Sequence, residues 1–173
     1  MKDKNYLLRY HRLLGVNDLQ NNRQLEHLLN PNSIAIIGVS ENLTKIGGRP
    51  LKFLIKNNYP GKIYPVNPKY DNIHGLTCYS SLFDIEDEIS LAIIALPAKH
   101  VISALKNCAK KGVKSAVIFS SGFAEIGDEG KKLQDDIQHI AQENDMLICG
   151  PNSVGVINVP KRMGATMSQI LEQ

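Results

Sequence analysis

From residue 33 onward, short unbroken apolar runs alternate with segments whose apolar residues recur at helical spacing. Ile34-Ala35-Ile36-Ile37-Gly38 is the first run, and Arg49 to Asn58 follows with Leu51, Leu54 and Ile55 on one helical face. Lys62-Ile63-Tyr64-Pro65-Val66-Asn67 is the second run and Ser90 to Leu96 the third. A helix from about Ala98 to Lys111, carrying Val101, Ile102, Leu105 and Ala109, leads to a fourth run at Ser115 to Phe119. Another from about Asp128 to Glu143, carrying Leu133, Ile137 and Ile140, leads to a fifth at Met146 to Cys149. Continuous rather than alternating apolarity marks strands covered on both faces. Strands alternating with helices predict right-handed βαβ units, and therefore an α/β fold with a doubly wound, mainly parallel sheet. The first strand is expected inside that sheet, third from an edge, between the second and third strands. Residues 1–30 read as a polar helical extension that Asn30-Pro31-Asn32-Ser33 stops. The predicted division is 1–30 for the extension, 31–168 for the α/β domain and 169–173 for a tail.

In sheets of this kind ligands lie outside the carboxyl ends of the strands, where strand order reverses. The segments to examine are therefore Gly38 to Leu43, Asn67 to Lys69, Pro97, Ser120 to Gly122, and Gly150 to Asn152. The first turn, Gly38-Val39-Ser40-Glu41-Asn42-Leu43, lacks the second and third glycines of a GxGxxG fingerprint, with Ser40 and Leu43 in their places. The Ser40 hydroxyl and the amides after it can cap an anion, with Lys45 and Arg49 adding charge; a purely structural turn fits the same residues. The second strand ends in Asn67-Pro68-Lys69, with no carboxylate before Asp71. A dinucleotide site places an acid in this region to hold ribose hydroxyls, whereas a lysine suits a phosphorylated ribose. Coenzyme A and NADP both meet that requirement, and a solvated surface lysine remains the plain alternative. Leu96-Pro97-Ala98 offers an apolar edge for an adenine or a pantetheine arm. Ser120-Ser121-Gly122-Phe123 and Gly150-Pro151-Asn152-Ser153 are expected to expose amides against which a thioester carbonyl or phosphate would lie.

Composition narrows the choices. The 20 Lys plus Arg against 17 Asp plus Glu leave a net charge of +3 with no dense basic run, which gives no footprint for nucleic acid. Cys78, Cys108 and Cys149 are odd in number and lack CxxC spacing, so they read as reduced thiols rather than a disulfide framework or metal site. No apolar run approaches the roughly 20 residues of a membrane helix, and the N-terminal apolar stretch is interrupted by Arg9, His11 and Arg12. A cytoplasmic protein with no membrane partner is expected. His11, His27, His74, His100 and His139 read as surface or satisfied histidines, with His100 and His139 on helices and His74 in a turn.

The strand-end set as a whole resembles the coenzyme A-binding domain of the nucleoside-diphosphate-forming acyl-CoA synthetases, relatives of the succinyl-CoA synthetase alpha subunit. The likeness runs from about Leu28 to Met167. It rests on the Asn30–Ser40 segment, Lys45-Ile46-Gly47-Gly48-Arg49, Gly61 to Tyr70, Leu96-Pro97-Ala98, Ser120 to Glu125, Gly150-Pro151-Asn152-Ser153 and Gly164-Ala165-Thr166. The resemblance implies a Rossmann-like fold that binds coenzyme A or acyl-CoA. It implies that Ser40, Glu41, Asn42 and Leu43 cradle the phosphates and that Lys69 meets the phosphorylated ADP end. Phe119, Ser120 and Ser121 would follow the pantetheine arm, and Gly150, Pro151 and Asn152 the reactive end. Gly38, Lys45, Asn67, Pro97 and Gly122 complete the expected coenzyme-binding set. The chain departs from the family in carrying Ser153 where cysteine is common. The family's reaction, acyl-CoA + ADP + phosphate ⇌ acid + coenzyme A + ATP, also needs a phosphohistidine domain and an ATP-grasp module as partners. The chain ends at Gln173, none of its histidines matches the phosphorylated position, and no catalytic residue is assigned. The alternative implied is a coenzyme A-binding regulatory module, as in protein lysine acetyltransferases.

Overall fold

A computed structural model describes residues 25–172. Most of the expected N-terminal extension, with His11, lies outside the described residues; of that expectation, residues 25–29 are helical and the helix stops at Asn30. The chain then runs β1 (Ser33–Ile37), α1 (Arg49–Lys56), β2 (Lys62–Val66), β3 (Asn72–Ile73), β4 (Leu76–Thr77), a 3-10 turn at Leu82–Asp84, and β5 (Leu91–Ile94). It continues α2 (Ala98–Lys111), β6 (Ser115–Ile118), a 3-10 turn at Ala124–Ile126, α3 (Asp128–Glu143), β7 (Leu147–Cys149), β8 (Gly155–Asn158), β9 (Met163–Thr166) and a last 3-10 turn at Gln169–Glu172. Pro97 caps the start of α2, and Lys110 and Lys111 sit in its last turn, where the helix dipole favours cations.

Five strands form one parallel sheet in the order β2-β1-β5-β6-β7. β1 lies between β2 and β5 as expected, but second from the edge rather than third. Only β2 lies beyond it, because β8 and β9 pair with each other instead of extending that edge. The apolar runs divide their side chains by the period of two along a strand. Ala35, Ala92, Ile94, Ala116 and Ile118 face α2 and α3, packing on Val101, Leu105, Cys108, Ile137 and Ile140. Ile34, Ile36, Leu91, Ile93 and Val117 face the other way, onto Leu51 and Leu54 of α1 and Met163 and Ala165 of β9. The β8–β9 hairpin thus takes the place of a second helix on that face. Burial pushes the Cys108 thiol up to about 12. Among the described residues no helix is long and apolar enough to cross a membrane.

β3 and β4 form a short hairpin whose turn residues His74 and Gly75 both have positive φ, 49° and 82°. That is the backbone twist two-residue hairpins favour. His74 Nε2 lies 2.9 Å from the Glu41 carbonyl oxygen, tying this hairpin to the loop after β1.

Candidate functional site

A cleft of about 650 Å³ opens at the carboxyl ends of β1, β2 and β5, on the side covered by α2. Its volume lies within the range of small-molecule sites. Gly38 makes the floor possible. Its φ is +82°, and a Cβ there would stand 2.6 Å from the Ala95 carbonyl oxygen, so any side chain would push the β1 and β5 ends apart. Asn67 joins the two loops behind it, donating through Nδ2 to the Val39 carbonyl at 2.7 Å and accepting the Lys69 amide at 3.0 Å. Lys69 is exposed and lines the cleft, as do Asn67 and Pro97.

The loop from Ser40 to Lys45 is folded on its own side chains and lies outside the cleft lining. Ser40 Oγ accepts the Asn42 amide at 3.2 Å, and Asn42 Oδ1 accepts the amide and the hydroxyl of Thr44 at 3.0 and 2.7 Å. The Asn42 carbonyl accepts the Lys45 amide at 3.1 Å, and the Ser40 amide donates to Gly47 at 3.3 Å. Glu41, Asn42 and Lys45 are exposed and Leu43 is half-buried. Arg49 is not a free charge: its Nη1 donates to the Met167 carbonyl at 2.9 Å, with Nε buried.

Beyond β6 and β7 the amides of Gly122, Phe123, Asn152 and Ser153 are already bonded, against the expectation that they stand exposed. Gly122 and Phe123 both donate to the Glu125 carboxylate, at 2.6 and 3.1 Å. These bonds to the charged form hold the Glu125 carboxyl below the usual carboxylate range. The Ala124 amide donates to Gln134 Oε1 at 3.3 Å. Asn152 and Ser153 donate to the Ser120 and Ile118 carbonyls at 2.8 and 3.1 Å, and Ser153 Oγ accepts the Gly155 amide at 3.0 Å. The Ser120 hydroxyl donates to the Leu96 carbonyl. Gly150 has φ +115°, and a Cβ there would meet the Ile118 carbonyl oxygen at 2.6 Å; the Gly150–Pro151 bond is cis. Phe119 is 3% exposed, its side chain packed in the core on the α1 face. Ser121 and Asn152 are exposed, Gly122 and Pro151 half-buried.

The structure thus gathers Gly38, Asn67, Lys69 and Pro97 around one cleft, and leaves Ser40–Lys45 outside its lining. It places Phe119–Gly122 and Gly150–Asn152 along the neighbouring stretch of the same sheet edge. Sequence reasoning missed the opposite wall, built by Ser80 and Ser81 ahead of the turn at Leu82–Asp84 and by His100, Ser103 and Asn107 of α2. Their i, i+3, i+7 spacing on one helix face was the available signal. Lys69 and His100 are the basic side chains of the lining, and no carboxylate joins them. Among the described residues no His, Cys, Asp or Glu cluster is arranged to hold a metal.

Comparison with known proteins agrees with this fold. Residues 32–159 match a family described as the CoA binding domain. The chain is 44% identical over 146 residues to the alpha subunit of ADP-forming acetate–CoA ligase I of Pyrococcus furiosus, covering 82% of this chain and 32% of that one. It is 42% identical over 147 residues to the ADP-forming acetate–CoA ligase of Methanocaldococcus jannaschii, covering 85% and 20%. The dinucleotide-forming acetyl-coenzyme A synthetase 1 of Candidatus Korarchaeum cryptofilum, solved with phosphate and ADP, superposes with a TM-score of 0.79 at 37% identity, covering 84% and 31%. The chain therefore spans about a fifth to a third of the length of these relatives.

Proposed function

The chain belongs to the CoA-binding domain family, and from that premise we propose that it binds coenzyme A or acyl-CoA as the coenzyme-binding part of an ADP-forming acyl-CoA synthetase. The observation that carries this reading is the cleft itself: nucleotide-sized, at the carboxyl ends of β1, β2 and β5, with Lys69 on its lining and no carboxylate. A carboxylate there would repel a phosphorylated ribose, and a lysine attracts it. Lys69 meets the ribose phosphate of the coenzyme, and the Ser40–Leu43 loop with Lys45 faces its diphosphate. Pro97 supplies apolar surface beside the nucleotide. The pantetheine arm runs along Ser120, Ser121 and Gly122 toward Gly150, Pro151 and Asn152, where the thiol end is presented, while Phe119 stays in the core beneath it.

In this role the domain supplies position rather than bond-making. Holding the thiol end at a fixed place on a rigid sheet edge raises its effective concentration toward an acyl group brought by other domains. The phosphohistidine domain and the ATP-grasp module of the parent enzyme carry the phosphoryl chemistry. Calorimetry with coenzyme A, dephospho-coenzyme A and NADPH tests the reading. Coenzyme A is expected to bind tightest, with dephospho-coenzyme A weaker. Equal or tighter binding of NADPH, or no binding of coenzyme A, overturns it.

A further inference from the structure

Along α2 the exposed positions divide into two kinds. Lys99, Lys106 and Lys110 follow one line of the helix and face solvent. About a quarter-turn round the axis, the cleft-facing line carries His100, Ser103 and Asn107, with the small Ala104 between them. His100 and Asn107 are planar and offer donors at defined points, the Ser103 hydroxyl donates to the His100 carbonyl at 2.9 Å, and the lysines offer mobile charges. From His100 to Asn107 the helix rises about 10 Å, so the wall is long enough to run beside a nucleotide. Ala104 is 7% exposed, leaving room where a larger residue would fill the cleft.

The other walls are complementary to the same kind of ligand. Lys69 stands on the loop after β2, and Ser80 and Ser81 enter from the segment before the Leu82–Asp84 turn. Two basic groups on separate elements, hydroxyls and an amide, and no acid define a subsite for a phosphate ester rather than for a neutral sugar. We propose that His100 is a specificity-determining contact for the ribose phosphate of the ligand, acting with Lys69 from another wall of the cleft. The proposal rests on the coenzyme reading given above and adds to it a residue and a direction of specificity.

The experiment measures dissociation constants of coenzyme A and dephospho-coenzyme A for the native chain, His100→Gln and Lys69→Ala. The native chain should prefer coenzyme A over dephospho-coenzyme A. His100→Gln should weaken coenzyme A about three- to tenfold and dephospho-coenzyme A much less, so that the preference shrinks, and Lys69→Ala should shrink it further. His100 is exposed, so unchanged thermal unfolding of His100→Gln separates contact from folding. A preference for coenzyme A that is the same in His100→Gln as in the native chain overturns the inference, while native binding of coenzyme A leaves the functional reading standing. Absence of native binding to either ligand overturns both.

Discussion

The carboxyl edge of the sheet is built in two ways. Past β6 and β7 the loops are closed on themselves. Gly122 and Phe123 are bonded to Glu125, Ala124 to Gln134, and Asn152 and Ser153 to the end of β6. Past β1, β2 and β5, internal bonds such as those of Asn67 brace the backbone while Lys69, Ser80 and His100 are left around open space. Both halves use a left-handed glycine pressed against a neighbouring carbonyl, Gly38 in one and Gly150 in the other. The difference teaches where binding energy arises. A loop whose amides are already bonded offers a ligand shape and apolar surface but few new hydrogen bonds, because breaking internal ones costs about what new ones return. In the open half the Lys69 and His100 side chains line open space, while those of Asn67, Ser81 and Ser103 are bonded to the local backbone.

The largest expected effect breaks the closed half. Gly150→Ala combines a left-handed backbone with a Cβ 2.6 Å from the Ile118 carbonyl oxygen. It should cost about 2–4 kcal/mol in urea unfolding. A change below about 0.5 kcal/mol would show that the turn is not held as described.

Next in size, Lys69→Ala tests the open half. Coenzyme A affinity should fall by about 1–3 kcal/mol, roughly tenfold to a hundredfold, with unfolding unchanged. The loss should shrink for dephospho-coenzyme A and fade with added salt. Equal affinities for native chain and variant would return Lys69 to an ordinary surface position.

The smallest effect is a pH dependence of the closed half. Glu125 is held below its ordinary range by the Gly122 and Phe123 amides. A group whose folded pKa is depressed contributes stability above its unfolded value, near 4.3, and loses it as pH falls through the folded one. The native chain should therefore lose more stability than Glu125→Gln between about pH 5 and pH 3. Parallel unfolding curves for the two across that range would contradict the assignment.

How much of this was legible in the sequence follows from what each signal encodes. The ends of α2 and α3 match expectation residue for residue, because Pro97, Gly112 and Gly127 punctuate strongly periodic segments. The position of β1 in the sheet was misjudged because strand count at an edge depends on pairing between distant segments. β8 and β9 were missed altogether, since Gly155–Asn158 and Met163–Thr166 are short and carry little alternation. Gly38, Asn67, Lys69 and Pro97 were legible through the rule that ligands sit at strand ends. The α2 wall was not, because hydrophobic periodicity identifies the face that packs on the core. Which polar face meets a cleft depends on Ser80 and Ser81 arriving from some twenty residues upstream. The glutamate that closes the β6 loop was also invisible, since residue spacing does not say which acceptor an amide will find.

The claim that the open half of the edge is the binding half is tested most directly by mapping backbone amide shifts as coenzyme A is added to the labelled chain. The account predicts the largest shifts at residues 38–45, 67–69, 80–82 and 96–107, and smaller ones at 120–122 and 150–152. It predicts none at the hollow lined by Asn32, Tyr59, Lys62 and Lys161, which lies toward the opposite end of the sheet. Shifts concentrated at that hollow, or at 120–124 and 150–155 with 67–69 and 100–107 unmoved, would contradict it.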